Sequence, residues 1–193
     1  MSTADQSVED ERGAAGESWL PEVEEIQRLR SQAYEMGGEE RVARQHDRGK
    51  LTARERIELL FDPGTFEEIG ILADHRSVRE NLRDYYAPAD GVITGAGLID
   101  GRPAYAFAED FTVLGGSTGK TGLAKRNRLK ELAGRERIPL IYLLDGAGAR
   151  GQESVLAGWA SGEHFLVQSR LGGVVPQGGA VMGGLGGDPA LEV

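Results

Sequence analysis

The chain has 193 residues, with 22 Lys and Arg against 31 Asp and Glu, a formal net charge of −9, 29 Gly and no Cys. The length suits one domain with an appendage. The missing cysteines exclude disulfides, thiolate zinc sites and cysteine nucleophiles, and the acidic balance speaks against a general nucleic-acid binder, whose surface is normally basic.

The acidity is local. Residues 1–25 hold eight acidic side chains against Arg12 alone, so the remainder is close to neutral and can face an anionic ligand. Residues 1–17 read as a disordered acidic arm without the basic-then-apolar order of a signal peptide. The longest solid apolar runs, such as Ile141–Leu144, are too short to span a membrane. A cytoplasmic location is the expectation, with no nucleic-acid or membrane partner.

Residues 18–61 read as a helical segment. Ser18 is a candidate cap, Pro21 fits a first turn, and Val23, Ile26, Leu29, Ala33 and Tyr34 form one helical face. Gly37-Gly38 breaks that helix, and a second short one holds Val42. Thr52-Ala-Arg-Glu55 is a capping box for a third, with Ile57, Leu59, Leu60 and Phe61 inward. Residues 62–193 read as α/β. Asp62-Pro63-Gly64 is a turn, Phe66–Leu72 a short strand, and residues 75–90 are polar and irregular. Gly91–Ile99 and Arg102–Ala108 flank Asp100-Gly101, a pair favoured in type I′ hairpin turns. Gly119–Gly134 is a helix with Leu123, Leu129 and Leu132 apolar and a basic face of Lys120, Lys125, Arg126, Arg128 and Lys130. Ile138–Leu144 suits a strand covered on both faces. Glu153–Ser169 is a helix with Val155, Leu156, Trp159, Phe165 and Leu166 inward, and Val174–Met182 is a last strand, weakened by Gly178-Gly179.

Glycine-rich turns follow the strands that end near Leu114, Asp145 and Met182. If those strands are parallel, the turns share the sheet edge where open α/β sheets place ligands. Each stretch also has a plain structural alternative. Leu114-Gly-Gly-Ser-Thr-Gly-Lys-Thr121 ends like a phosphate-binding P-loop, but Leu114 stands where the first Gly belongs. It is a strand-to-helix turn whose N–H groups, with Lys120 and the basic face behind it, suit an anion, or else a solvated amphipathic helix. Leu144-Asp-Gly-Ala-Gly-Ala-Arg-Gly-Gln-Glu153 lets a ligand approach the backbone; Arg150 binds an anion or pairs with Asp145 or Glu153. Gly173-Val-Val-Pro-Gln177 through Met182-Gly-Gly-Leu-Gly-Gly187 offers paired N–H groups to an oxyanion, or is a loop without function. The three His, at 46, 75 and 164, have no metal-ligand spacing, so no metal is expected, and His164 reads as a surface or packing residue. No Gly-x-Ser-x-Gly elbow occurs, so catalysis would rest on backbone amides.

In their order these stretches resemble the carboxyltransferase (β) subunits of biotin-dependent acyl-CoA carboxylases, such as those acting on propionyl-CoA, acetyl-CoA or methylcrotonyl-CoA. Four blocks carry the resemblance: Gly49-Lys-Leu-Thr-Ala-Arg-Glu-Arg-Ile57 with Leu60-Phe-Asp-Pro-Gly-Thr-Phe-Glu-Glu68, Asp110-Phe-Thr-Val-Leu-Gly-Gly-Ser117, Asp145-Gly-Ala-Gly-Ala-Arg-Gly-Gln-Glu153, and Gly173-Val-Val-Pro-Gln177. The resemblance implies a crotonase-like α/β fold, a spiral of ββα units in two halves. Residues 62–193 would be the acyl-CoA-binding portion of the first half, with the second half expected to be missing. It implies carboxyl transfer from carboxybiotin, held on a partner carrier, to the α-carbon of an acyl-CoA through an enolate. It implies Gly186 and Gly187 as donors to the enolate oxygen, with Gly115, Gly116, Ser117, Gly148, Ala149 and Arg150 lining the CoA and acyl pocket. The implied partners are a biotin carboxylase or biotin carrier subunit, and either a second copy or a second-half chain. Gly146, Gly151 and Gly178-Gly179 depart from the family pattern, and the last glycine stretch is shorter than the family's. The competing readings are an acyl-CoA decarboxylase subunit of the same superfamily, a non-catalytic CoA-binding or assembly remnant, and a P-loop NTPase.

Overall fold

The computed structural model describes residues 19–74, 87–151 and 153–191. The acidic arm, Ser18, His75 and most of the 75–90 stretch lie outside these residues, as do the side chains of Val155, Leu156 and Trp159. Three helices come first: α1 (Leu20–Tyr34), α2 (Glu39–Asp47) and α3 (Ala53–Leu60). Pro21 lies in the first turn of α1, and its N-cap Trp19 makes no side-chain cap hydrogen bond. The expected apolar face of α1 is only partly used. Ala33 is buried, but Val23, Ile26 and Tyr34 are exposed. The α3 helix opens with the expected capping box. The Glu55 N–H donates to Thr52 Oγ1 at 3.3 Å and the Thr52 N–H to Glu55 Oε2 at 2.7 Å. Hydrogen bonding to His46 and to the Thr52 N–H holds the Glu55 carboxyl down at about 2. Ile57 and Phe61 turn inward. Leu59 is exposed, because two residues from Ile57 is the far side of a helical turn.

One five-stranded sheet follows, in the order β1 (Glu67–Glu68), β2 (Val92–Ile99), β3 (Arg102–Glu109), β4 (Leu140–Gly146), β5 (Gln177–Leu185). The β1–β2 and β2–β3 pairings are antiparallel, and β3–β4 and β4–β5 are parallel. Helices α4 (Lys120–Glu136) and α5 (Ser154–Leu171) make the two crossovers. Asp100 and Gly101 both have positive φ, 49° and 72°, as a type I′ turn requires. The Asp62 carboxylate accepts both of their N–H groups, at 3.0 and 2.8 Å. The strand expected over Phe66–Leu72 shrinks to two residues. Ile69 N–H still reaches Thr94 O at 2.7 Å, but Gly70, at φ 76°, turns the chain away. The last strand starts at Gln177 and not at Val174, because Gly173, at φ 74°, prolongs the turn after α5.

Alternation along the strands decides the two faces of the sheet. Tyr105 and Phe107 of β3 and Leu140, Tyr142 and Leu144 of β4 pack with Leu129 and Ala133 of α4 and Leu171 of α5. Ala104, Ala106, Ala108 and Leu143 point the other way, onto Ala53, Ile57 and Phe61 of α3 and its end. Thus β4 is covered on both faces, as its apolar run implies. Small residues let α3 come close: the Phe61 ring occupies the space a Cβ on Gly97 would need. Each large side chain buried in these layers contributes about 1.5–3 kcal/mol. On α5 the expected inward residues Phe165 and Leu166 are exposed. His164 takes the inward place, with Nδ1 3.0 Å from Asn127 Oδ1 and Nε2 3.3 Å from Lys130 Nζ. Among the described residues no helix is long and apolar enough to cross a membrane.

Candidate functional site

Because β3, β4 and β5 run parallel, their C-terminal ends share one edge, and the three glycine turns meet there. Main-chain bonds join them. Ala147 N–H donates to Gly115 O at 3.0 Å, Thr118 N–H to Gly148 O at 2.8 Å, Arg150 N–H to Thr118 O at 2.8 Å, and Gly186 N–H to Gly146 O at 3.2 Å. The contacts leave no room for side chains. A Cβ on Gly116 would overlap the backbone of Asp145 and Gly146, and one on Gly148 the carbonyl of Gly186. Leu114, Gly115 and Gly116 form a left-handed turn with φ of 51°, 64° and 65°. Holding a leucine there costs about 1–2 kcal/mol, which the packing around it must offset.

Two buried ion networks brace the edge. In the first, Arg150 Nη1 lies 2.5 Å from Asp90 Oδ1 and 3.0 Å from Glu153 Oε1, while Nη2 donates to Ser117 O at 2.8 Å. In the second, the fully buried Asp145 at the end of β4 accepts from Lys50 Nζ at 3.0 Å, Arg56 Nη2 at 2.8 Å and Gln45 Nε2 at 3.3 Å. The Asp145 N–H donates to Glu109 Oε2 at 2.8 Å, and Glu109 is also paired with Arg126 of α4.

Several sequence expectations change here. Of the two pairing partners considered for Arg150, Glu153 is realised; Asp145 is taken by the N-terminal helices. Arg150 is 2% exposed, and its guanidinium is engaged by Asp90, Glu153 and the Ser117 carbonyl. The start of α4 is not an open anion site. Glu153 Oε2 already accepts the Lys120 N–H at 2.9 Å, and Asp90 Oδ2 accepts the Gly122 N–H at 2.5 Å. The carboxylates sit where phosphate oxygens would go, which removes the P-loop reading. The basic face of α4 is also largely turned inward: Arg126 pairs with Glu109, Lys130 meets His164, and Lys125 Nζ donates to Ala89 O at 2.9 Å and Val92 O at 2.6 Å. The Lys120 side chain is exposed. Gly186 spends its N–H on Gly146, so it is not a ready oxyanion donor. The N–H groups of Gly148, Ala149 and Gly187 have no partner among the described residues. Gly146 is fitted, not relaxed: a Cβ there would overlap Gly116 O and the Glu109 carboxylate. A Cβ on Gly151 or Gly178 would meet nothing within 4 Å.

Burial lowers the Lys125 ammonium from 10.5 to about 8. The unfolded chain keeps that proton to higher pH than the folded one. Stability from this group therefore rises between about pH 8 and 10.5. The measurement is urea unfolding between pH 8 and 10, and Lys125→Met is expected to flatten the rise. Tyr105, raised to about 12 by burial and by Glu136, acts the other way above pH 10.

The sequence matches the carboxyl transferase domain over residues 44–188. The chain belongs to that family. It is 44% identical over 173 residues to the propionyl-CoA carboxylase carboxyltransferase subunit of Haloferax mediterranei, covering 88% of this chain and 34% of that protein. It is equally 44% identical, over 159 residues, to the methylmalonyl-CoA decarboxylase subunit alpha of Veillonella parvula, covering 80% of this chain and 31% of that one. A transcarboxylase 12S crystal structure, a hexamer with methylmalonyl-coenzyme A and methylmalonic acid bound, superposes with a TM-score of 0.78 at 41% identity. That likeness covers 82% of this chain and 31% of the other. The fold is crotonase-like. The chain spans about a third of the length of the curated relatives it matches.

Within this carboxyl transferase domain the structure adds residues that sequence reasoning passed over. Asp90 lay in a stretch read as irregular, and Glu109 one residue past the strand expected over Arg102–Ala108, which the structure extends to include it. Lys50 and Arg56 belong to a block that carries the resemblance, but neither was given a role. Beside the first glycine turn is a cavity of about 300 Å³, lined by Arg41, Arg44, Arg48, Phe111, Leu114 and Gly115, among others. The spacing of its three arginines on one short helix was the available signal. A larger cavity of about 470 Å³ lies on the α3 side, against Arg54, Ile57, Phe61 and Phe66, and touches none of the glycine turns. Among the described residues no group of His, Asp and Glu is placed to hold a metal.

Proposed function

We propose that this chain is the acyl-CoA-binding part of a biotin-dependent carboxyltransferase. The observation that carries the reading is the junction of three glycine turns at one sheet edge, where the N–H groups of Gly148, Ala149 and Gly187 are left without partners among the described residues. A thioester carbonyl seated there gains negative charge as its α-carbon loses a proton. Donors already oriented at that oxygen stabilise the enolate, typically by about 2.7–4 kcal/mol for one such donor. Gly187 is the assigned donor, and Gly186 joins it only when its bond to Gly146 opens. Gly115, Gly116 and Ser117 would form the opposite wall. Carboxybiotin on a partner carrier would supply the carboxyl group. A second copy or a second-half chain would close the site.

Titration calorimetry of the chain with propionyl-CoA is expected to show saturable binding. No heat from propionyl-, acetyl- or methylmalonyl-CoA at millimolar concentration would overturn the reading. The equal identity to a decarboxylase subunit supports a second reading, in which the same donors stabilise the enolate left when a carboxylated acyl-CoA loses CO2. Tighter binding of methylmalonyl-CoA than of propionyl-CoA would favour it.

A further inference from the structure

The larger cavity, of about 470 Å³ on the α3 side, touches none of the glycine turns that carry the acyl-CoA reading. Its size falls within the range of about 300–1,000 Å³ for small-molecule pockets. The base is aromatic and fixed from below. In β2 the sequence runs Gly95-Ala96-Gly97. A Cβ on Gly95 would overlap the Phe66 ring and one on Gly97 the Phe61 ring, so each ring is seated on bare main chain. The two ring centroids lie 5.1 Å apart, and the buried Ile57 and Ile93 complete the apolar surface.

The walls are charged, and unevenly. Among the described lining residues one cation, Arg54, stands against the carboxylates of Glu58, Asp62 and Glu68. The Arg54 guanidinium is already engaged. Its Nη1 donates to Glu68 Oε2 at 2.8 Å, its Nη2 donates to Ala33 O at 3.1 Å, and it lies 4.2 Å from the centroid of the Tyr34 ring. An anionic ligand would have to break these bonds. Asp62 accepts the Asp100 and Gly101 N–H groups, neutral donors that leave its charge unbalanced. Glu58 is exposed and makes no hydrogen bond or ion pair among the described residues. Once Arg54 and Glu68 offset each other, two carboxylates remain beside two aromatic rings. Ring faces attract cations, and carboxylates supply the countercharge.

We infer that this cavity is a binding site for a small organic cation, its ammonium group met by Glu58 and Asp62 and its apolar body lying against Phe61 and Phe66. The test titrates three probes of similar shape into the full chain: phenethylammonium, the neutral 2-phenylethanol and the anionic phenylacetate. Backbone amide and isoleucine methyl NMR signals report the binding, and a fragment of this size binds at about millimolar concentration. Phenethylammonium should shift the signals of Ile57, Phe61 and Ile93 saturably, leave Gly115 and Gly148 in place, and bind more tightly than either comparator. Glu58→Gln changes an exposed side chain and is expected to keep the parent melting temperature. It should weaken phenethylammonium roughly two- to fivefold, the worth of one exposed ion pair, and leave 2-phenylethanol unaffected. The inference is overturned if the alcohol or phenylacetate binds as tightly as the ammonium, if Glu58→Gln leaves the ammonium's affinity unchanged, or if no saturable shift occurs at those three residues. None of these outcomes depends on propionyl-CoA, so the acyl-CoA reading stands or falls separately.

Discussion

Arg150→Ala is expected to cost the fold about 3–5 kcal/mol, a large share of the roughly 5–15 kcal/mol typical of a domain. The guanidinium ends among Asp90, Glu153 and the Ser117 carbonyl, and both acidic side chains are almost fully buried. Truncation leaves two carboxylates facing each other without their cation. Both also receive the first N–H groups of α4, so the damage reaches that helix. Arg150→Lys should recover little, because one ammonium cannot reproduce the fork. Urea unfolding would show a lower midpoint at an unchanged slope. A variant as stable as the parent that no longer binds propionyl-CoA would instead place Arg150 on the ligand.

Asp145→Asn comes next, with an expected loss of the same order, about 3–5 kcal/mol. The change keeps the shape and removes the charge, leaving Arg56 buried and Lys50 half-buried against a neutral amide. Its partners lie on or beside the N-terminal helices, so the first sign should be faster amide exchange on α2 and α3. A double-mutant cycle with Arg56→Met isolates the pair. Coupling under about 0.5 kcal/mol would mean that apolar packing alone holds those helices to the sheet.

Features set by neighbours in the chain were legible beforehand. The Thr52–Glu55 box, the Asp100-Gly101 turn, the doubly covered β4 and the meeting of three glycine turns all follow from local chemistry or from strand direction. Features set by distant partners were not. Helical spacing showed that Lys125, Arg126 and Lys130 share a face but could not say that Glu109, His164 and two carbonyls wait there. The apolar stripe of α1 has the right period, yet burial depends on what stands opposite. Gly186 looked like a donor because sequence does not reveal where an N–H is already spent. The short β1 turned on the positive φ of Gly70, which periodicity does not encode.

The crowding at Gly116, Gly146 and Gly148 has a consequence for how such a site can evolve. The inner wall is main chain, and no other residue fits at those three positions without moving it. On the proposed acyl-CoA reading, a change of acyl preference cannot be written there by substitution. It must be written on surfaces that reach the junction from outside, such as the helices before the sheet or a neighbouring subunit. The amides proposed to stabilise charge and the surfaces that would choose a substrate are therefore free to diverge at different rates.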